Sequence, residues 1–404
     1  MKAAVLGGGA AGFFGAISIK ESNPDAEVFI FEKSDKILSK VKISGGGRCN
    51  VTNALSDINE FVENYPRGKK ELISVFTRFG FRETIDWFET RGVQLKTEPD
   101  NRVFPVSDNS DTIIECLLKE IQVRNIQIKN HFSPEKIIKK EDRFVLHFKN
   151  GEEFEFDKIL IATGGNAKPE SYEWIKALGH TIIEPVPSLF TFILSQNIFE
   201  GLEGVSVPEI EIMLPDEKSF RQKGSLLITH GGLSGFGILK FSAFAARELA
   251  EKNYKFTLSI NWLLGFIKEQ SFDKITKLRK SIPNKTLSSA SYLGLPLRLW
   301  KRILELNNIG DKKFIDLSNQ KIINFVNSLV EHKIEIAGKN TNKEEFVTAG
   351  GVCLKEVNFK TMESKICPNI YFAGEVLDID AVTGGFNFQS AWSTGWIAGM
   401  SIGS

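Results

Sequence analysis

The sequence predicts an α/β fold in which a nucleotide-binding βαβ domain is split in sequence around a β-rich and helical insert. Three observations carry this. GGGAAG follows an opening strand directly, short alternating runs and then Lys-rich helical spacing fill the middle, and strand-and-glycine character returns near the end. At 404 residues the chain exceeds the size at which one core stops growing, so two or three structural units are expected.

The elements follow in order. Lys2 to Leu6 reads as a strand, about Ala10 to Glu21 as a helix, and EVFIF, ending at Phe31, as a second, parallel strand. Residues 70–92 and 110–123 carry apolar residues at helical spacing, for instance Ile113, Leu117 and Ile121. RFVLHF and EEFEF, separated by Asn150-Gly151, predict an antiparallel meander, because Asn-Gly suits the tight turns of hairpins. DKILIATGG then reads as a buried strand ending in glycines. After Pro185–Ser188 the runs LFTFIL, EIEIML, SLLITH and FTLSI indicate a β-rich unit. WLLGFIKEQ and LPLRLWKRILELNNI indicate helices beyond it.

Composition narrows the function. Formal charge is +1, with 51 basic against 50 acidic side chains, so the sequence is read as lacking an electrostatic footprint for nucleic acid or an anionic membrane. Cys49, Cys116, Cys353 and Cys367 form no C-x-x-C pair, so neither a disulfide framework nor a metal site is expected, and a reducing cytoplasm fits. The N-terminus lacks signal-peptide order, and no apolar run approaches the roughly 18 residues of a membrane span.

Gly7-x-Gly9-x-x-Gly12 lies between a strand and a helix. The first glycine permits the tight turn, the second admits a pyrophosphate to the backbone, and the third lets helix and strand pack closely. Glu32, twenty positions on, is placed to bond a ribose hydroxyl and repel a 2′-phosphate. Other segments turn this toward FAD. The meander and ILIATGG close the first half of the chain in the manner of FAD-binding domains. In the C-terminal NIYFAGEVLDIDAVTGGFNFQSAW, Gly384-Gly385 is read as a helix start whose N–H groups reach a flavin carbonyl. Asp378 is read as a partner for ribitol hydroxyls. In SGGGRCNVTN (44–53) the glycines leave room for a planar ring, Arg48 is a candidate for a pyrophosphate or substrate carboxylate, and Asn50 and Asn53 are candidates for ring heteroatoms.

ISGGGRCNVTN (43–53), RVFPVSD (102–108), LLITHGGLSG (226–235) and the long segment 347–392 resemble one bacterial family through nearly the whole chain. It is the YhiN/BaiN-like FAD-dependent oxidoreductase family, also described as aminoacetone-oxidase-like flavoproteins. The resemblance implies a Rossmann-type FAD-binding domain over 1–188 and 342–404, an inserted β-barrel-like domain over 189–262 and 336–341, and a helical subdomain over 263–335. Matched motif by motif, the implied FAD contacts are Gly7, Gly9, Ala10, Ala11, Gly12, Glu32, Lys33 and Lys40, then Gly45, Gly46, Gly47, Arg48, Cys49 and Asn50. They continue with Ile137, Thr163, Gly164, Gly374, Glu375, Asp378, Gly384, Gly385, Phe386 and Asn387. The chain departs from the pattern in a shortened segment after ATGG, in Ala381 where glycine is usual, and in Phe236 where proline is usual.

In such an enzyme the cofactor carries the hydride chemistry, so no hydrolytic triad is expected. His230, before a glycine loop, is the acid/base candidate, with Arg48 as a candidate substrate anchor. Cys49 has no partner for a disulfide-reductase mechanism, and His131, His147, His180 and His332 are assigned nothing. No second strand-GxGxxG-helix fingerprint is present, so NAD(P)H is expected only as a transient visitor. The expected function is NAD(P)H-linked reduction of an activated double bond in a small organic molecule. Amine oxidation, a tRNA-modifying flavoprotein and a flavin-based redox sensor are the alternatives, and oligomeric state is left open.

Overall fold

In the computed structural model, which describes residues 1–340 and 347–404, Lys2–Leu6 is a central strand of a seven-stranded sheet. Glu27–Glu32 and Lys158–Ile161 flank it in parallel, Gln127–Asn130 and Ile370–Phe372 extend it in parallel, and Glu363–Ser364 and Val357–Asn358 finish one edge antiparallel. Ala3 to Leu6 have no exposed surface, as a strand covered on both faces requires. The chain divides into two units, Met1–Ser188 with Asn342–Ser404, and Leu189–Thr341. The expected 341/342 boundary lies outside the described residues.

In the first unit, Pro134–Lys140, Arg143–Phe148 and Glu153–Phe156 form the antiparallel meander, with Gly151 in the left-handed region at φ 85°. Helix Ala10–Ser22 packs against the C-terminal helix, Phe386–Gly403. An added Cβ at Gly395, Gly399 or Gly403 would sit inside 3 Å of Ala11, Gly15 and Ser22 respectively. Because those partners rise together along both chains, the helices run parallel, and their glycines let the backbones touch. Gly385, the N-cap of the second helix, is ten residues before Gly395 and so lies about 15 Å along the axis beyond the level of Ala11. Two helix N-termini therefore point the same way, one ahead of the other.

The second unit holds a closed six-stranded barrel, with Thr191–Leu194 pairing both Gly232–Ser234 and His332–Asn340. Its helices Lys268–Ser281, Leu297–Leu306 and Asn319–Val330 are amphipathic. In Leu297–Leu306, for example, Leu299, Trp300, Ile303 and Leu304 are buried while Arg298, Lys301 and Glu305 are exposed. These apolar faces belong to the same cluster as the barrel interior, from Phe190 and Ile212 to Trp300, Phe325 and Ile336. The helical stretch shares one core with the barrel.

Candidate dinucleotide site

The glycines of the first unit separate into two kinds. At Gly7 an added Cβ would strike the Ala162 carbonyl, at Gly12 the Gly7 carbonyl, and at Gly385 the Thr52 backbone. Those three hold protein against protein. At Gly9, Gly46, Gly47 and Gly164 an added Cβ would meet nothing within 4 Å. Those four face open space, which a ligand lying on the backbone needs. The residues present thus fit a dinucleotide along bare main chain.

Helix Ala10–Ser22 begins at Gly9 without a side-chain cap, leaving its first N–H groups and the positive dipole end for phosphates. Beside it opens a cavity of about 340 Å³ lined by Gly7, Phe31, Glu32, Lys33, Phe132, Ser133, Pro134, Glu135, Lys149, Thr163, Gly164, Tyr172 and Trp174, among others. Glu32 receives the Gly8 N–H at 2.9 Å on one oxygen, and the Ser34 N–H and hydroxyl at 3.1 and 3.0 Å on the other. Ile137 is buried within the meander and does not line the cavity; its neighbours Ser133 to Glu135 do. The shortened segment after ATGG also contributes. The Tyr172 hydroxyl accepts the Asn166 N–H at 2.9 Å, and burial pushes its pKa up to about 12.

The loop at 44–53 is a run of left-handed backbone, with φ of 58°, 70° and 85° at Gly45, Gly46 and Gly47 and of 60° at Cys49. The Cys49 thiol turns inward, fully buried, and desolvation raises its pKa to about 12, so it stays protonated and unreactive near neutrality. Arg48 stacks 3.9 Å over the Phe104 ring and pairs with Glu98 at 2.7 Å and Asp108 at 3.4 Å. Its charge is already answered by protein carboxylates, so the anchoring role read from sequence has no unpaired guanidinium behind it.

The polar residues expected on the ring brace the backbone here. With its amide oriented to suit its neighbours, Asn50 donates to the carbonyls of Thr52 at 3.0 Å and Val103 at 3.3 Å and accepts the Gly385 N–H at 2.9 Å. That N–H is therefore spoken for, and the Phe386, Asn387 and Phe388 N–H groups are the helix-start donors that remain. Asn53 donates to the Gly384 carbonyl at 3.0 Å, and the Asn387 amide receives the Ala381 N–H and donates to its carbonyl, both at 2.9 Å. Ala381 takes an ordinary negative φ, so alanine serves where glycine is usual. Gly374, at φ 74°, would place a Cβ 2.8 Å from that of Ala11, and its N–H donates to Thr394. Lys40 and Glu375 pair with each other at 2.5 Å. The Asp378 N–H donates to the Val352 carbonyl at 3.1 Å and its side chain is half-buried.

Sequence reasoning missed the supports behind this strip. Tyr65, fully buried, donates its hydroxyl to the Phe386 carbonyl at 2.6 Å. Gln389 accepts from Thr52 and donates to Thr84 at 2.9 Å and Ser393 at 2.8 Å. Asp380, with no exposed surface, is paired by Arg67 and accepts the Ser188 hydroxyl at 2.6 Å. The second acid of LDID, inside an apolar stretch, was the one available signal. His230 belongs to the second unit; its side chain is 97% exposed, with Glu203 as an ion-pair neighbour at 3.9 Å, so water rather than protein surrounds the ring. Among the described residues no group of three or more His, Cys, Asp and Glu is placed to hold a metal, and no helix is long and apolar enough to cross a membrane.

A family description, the HI0933-like protein Rossmann domain, matches residues 1–401. The chain belongs to that family. It is by family an FAD-dependent oxidoreductase, as the open glycines and paired helix starts suit. Among its relatives is the 3-dehydro-bile acid Δ(4,6)-reductase of Clostridium scindens, 28% identical and aligned over 98% of each chain. The ribosomal RNA dihydrouridine synthase of Escherichia coli is 29% identical over 99% of this chain and 97% of its own. That of Haemophilus influenzae is 28% identical over 98% and 97%. The 3-ketosteroid-Δ4-(5α)-dehydrogenase of Rhodococcus jostii covers 100% of this chain and 96% of its own at TM-score 0.51 and 13% identity, a likeness of fold.

Proposed function

We propose that this protein reduces a carbon–carbon double bond conjugated to a carbonyl, with NAD(P)H as donor, and that its substrate is a uracil within ribosomal RNA. The bile-acid and dihydrouridine names describe different molecules but one bond type. A 3-oxo steroid conjugates C=C with its ketone, and uracil conjugates C5=C6 with its C4 carbonyl. For uracil NAD(P)H is oxidised, the β carbon C6 receives a hydride and the α carbon C5 a proton. Bound FAD supplies the two-electron relay between donor and acceptor.

The observation that carries the reading is the pair of parallel, side-chain-free helix starts with open glycines between and beside them. Gly9 and Gly164 admit the phosphates, Gly46 and Gly47 clear one face for a flat ring, and the N–H groups of Phe386 to Phe388 meet the charge that a reduced ring develops. Asn50, Asn53, Tyr65 and Gln389 hold that helix start rigid.

Anaerobic mixing with NADH and with NADPH, followed by unmodified ribosomal RNA, tests it. Bleaching by one nucleotide, then recolouring with dihydrouridine formed at discrete positions, is expected. A second reading, a small-molecule enone reductase, draws on the bile-acid relative. Recolouring by a 3-oxo-4,6-diene steroid but not by RNA overturns the first reading in its favour, and no bleaching by either nucleotide overturns both.

A further inference from the structure

The near-neutral total charge conceals an asymmetry. From Ile267 to Lys333 the chain has thirteen Lys and Arg against six Asp and Glu, a net +7, which leaves the remainder at −6. Much of that excess is gathered by the fold. Residues 283–287 interlock with 312–315. Thr286 bridges Lys313, the Leu287 N–H donates to the Lys312 carbonyl at 3.0 Å, and Phe314 and Ile315 donate to Lys285 and Pro283 at 3.1 and 3.0 Å. Helix Lys268–Ser281 ends at this junction, tied down by Arg279, which donates to the Leu317 carbonyl at 2.8 Å.

Lys277, Lys280, Lys285, Lys312 and Lys313 are thereby brought to one corner, four of them exposed and Lys312 half-exposed. None of the five has a carboxylate partner among the described residues, whereas Lys268 and Arg302 in the same stretch have Glu331 and Glu305. The corner's own acids, Asp273, Asp311 and Asp316, offset three of the five charges and leave a net +2. Asp316 accepts the Lys313 backbone N–H at 3.2 Å, and Asp311 and Asp273 face water. The lysines left in excess repel one another unless a polyanion covers them.

We propose that this corner is the docking surface for the sugar–phosphate backbone of ribosomal RNA, an inference that rests on the uracil reading above. Lysines contribute phosphate contacts without sequence preference, so the corner supplies affinity and register while the chosen base is read elsewhere.

The test uses the full-length, FAD-loaded protein and unmodified ribosomal RNA. The triple variant Lys277→Gln, Lys280→Gln, Lys313→Gln is compared with Lys136→Gln, Lys139→Gln, Lys140→Gln, an equal charge loss at exposed positions of the meander. Loss of three phosphate contacts flattens the slope of log affinity against log salt by about 2 and weakens binding roughly tenfold or more at low salt. The meander variant keeps the wild-type slope. Both keep full FAD content and unchanged NAD(P)H oxidation with a small artificial acceptor. Equal slopes for the two variants, or wild-type binding to phosphatidylserine vesicles in preference to RNA, overturn the docking surface. If wild type forms dihydrouridine in that first case, the corner alone is wrong. Corner-dependent RNA binding without dihydrouridine keeps the corner and removes the uracil reading.

Discussion

As strings, SGGGRCN of the first unit and THGGLSGFG of the other unit are alike, yet most glycines of the one are open and most of the other are filled. At Gly46 and Gly47 an added Cβ meets nothing. In THGGLSGFG, Gly231 is open as well, but a Cβ at Gly232 would strike the Phe192 carbonyl, one at Gly235 the Ser225 carbonyl, and one at Gly237 would crowd Gly224. There the glycines let helix Phe236–Phe244 lie on strand Glu217–Thr229. Glycine density is therefore no ligand signal in itself. What separates the two is whether the space above the Cα belongs to the protein.

The comparison breaks most visibly at the filled positions. Gly399→Val drives a branched side chain into the Gly15 carbonyl, and Gly232→Val does the same at Phe192. Each is expected to destabilise by more than about 4 kcal/mol, among the largest single-residue effects. Soluble expression and thermal melting check this, and a folded Gly399→Val protein would show that the helix pair tolerates separation. Gly385→Ala sharpens the contrast from a mixed position. It faces the Thr52 backbone at φ 94° and also opens the helix that the proposed function sets against the flavin, so stability and FAD retention are expected to fall together.

Gly46→Ala isolates the open kind. Its φ of 70° costs alanine about 1 kcal/mol, but nothing in the protein is struck. The expected outcome is a melting temperature within a few degrees of wild type together with FAD affinity reduced at least about tenfold, on the order of 1.4 kcal/mol. Unchanged FAD content on gel filtration and unchanged titration would place the ring elsewhere.

Legibility followed the same division. Strand Lys2–Leu6, the GxGxxG turn and helix Ala10–Ser22 were readable because local spacing fixes them. The barrel was readable only through the family resemblance, since its closure depends on Thr191–Leu194 meeting His332–Asn340 across most of the unit's length. Asn50 and Asn53, read as partners of ring heteroatoms, hold backbone groups, and the ambiguity is physical. An amide beside glycines has the right chemistry for a ring nitrogen and equally for a stray backbone group, and only the fold decides which lies within 3 Å. The Lys-rich run was legible as a charged, solvated stretch but not as a corner, because only the junction of 283–287 with 312–315 gathers its lysines in space.

The smallest effect concerns the inner side of the open loop. Cys49 sits between glycines that face outward and an asparagine that holds Gly385, yet its own thiol is buried with a pKa of about 12. The folded value lies above the unfolded value of roughly 8.5, so the native state retains a proton that the unfolded chain releases. Its contribution is fully present below about pH 8.5 and is lost progressively as pH rises from there toward 12. Iodoacetamide at about pH 8.5 is therefore expected to label Cys353, which is half-exposed, and to spare Cys49 until the protein unfolds. Peptide mapping after a short exposure measures this. Rapid labelling of Cys49 in the folded protein would mean that the loop opens on both sides, and that its glycines serve movement as well as clearance.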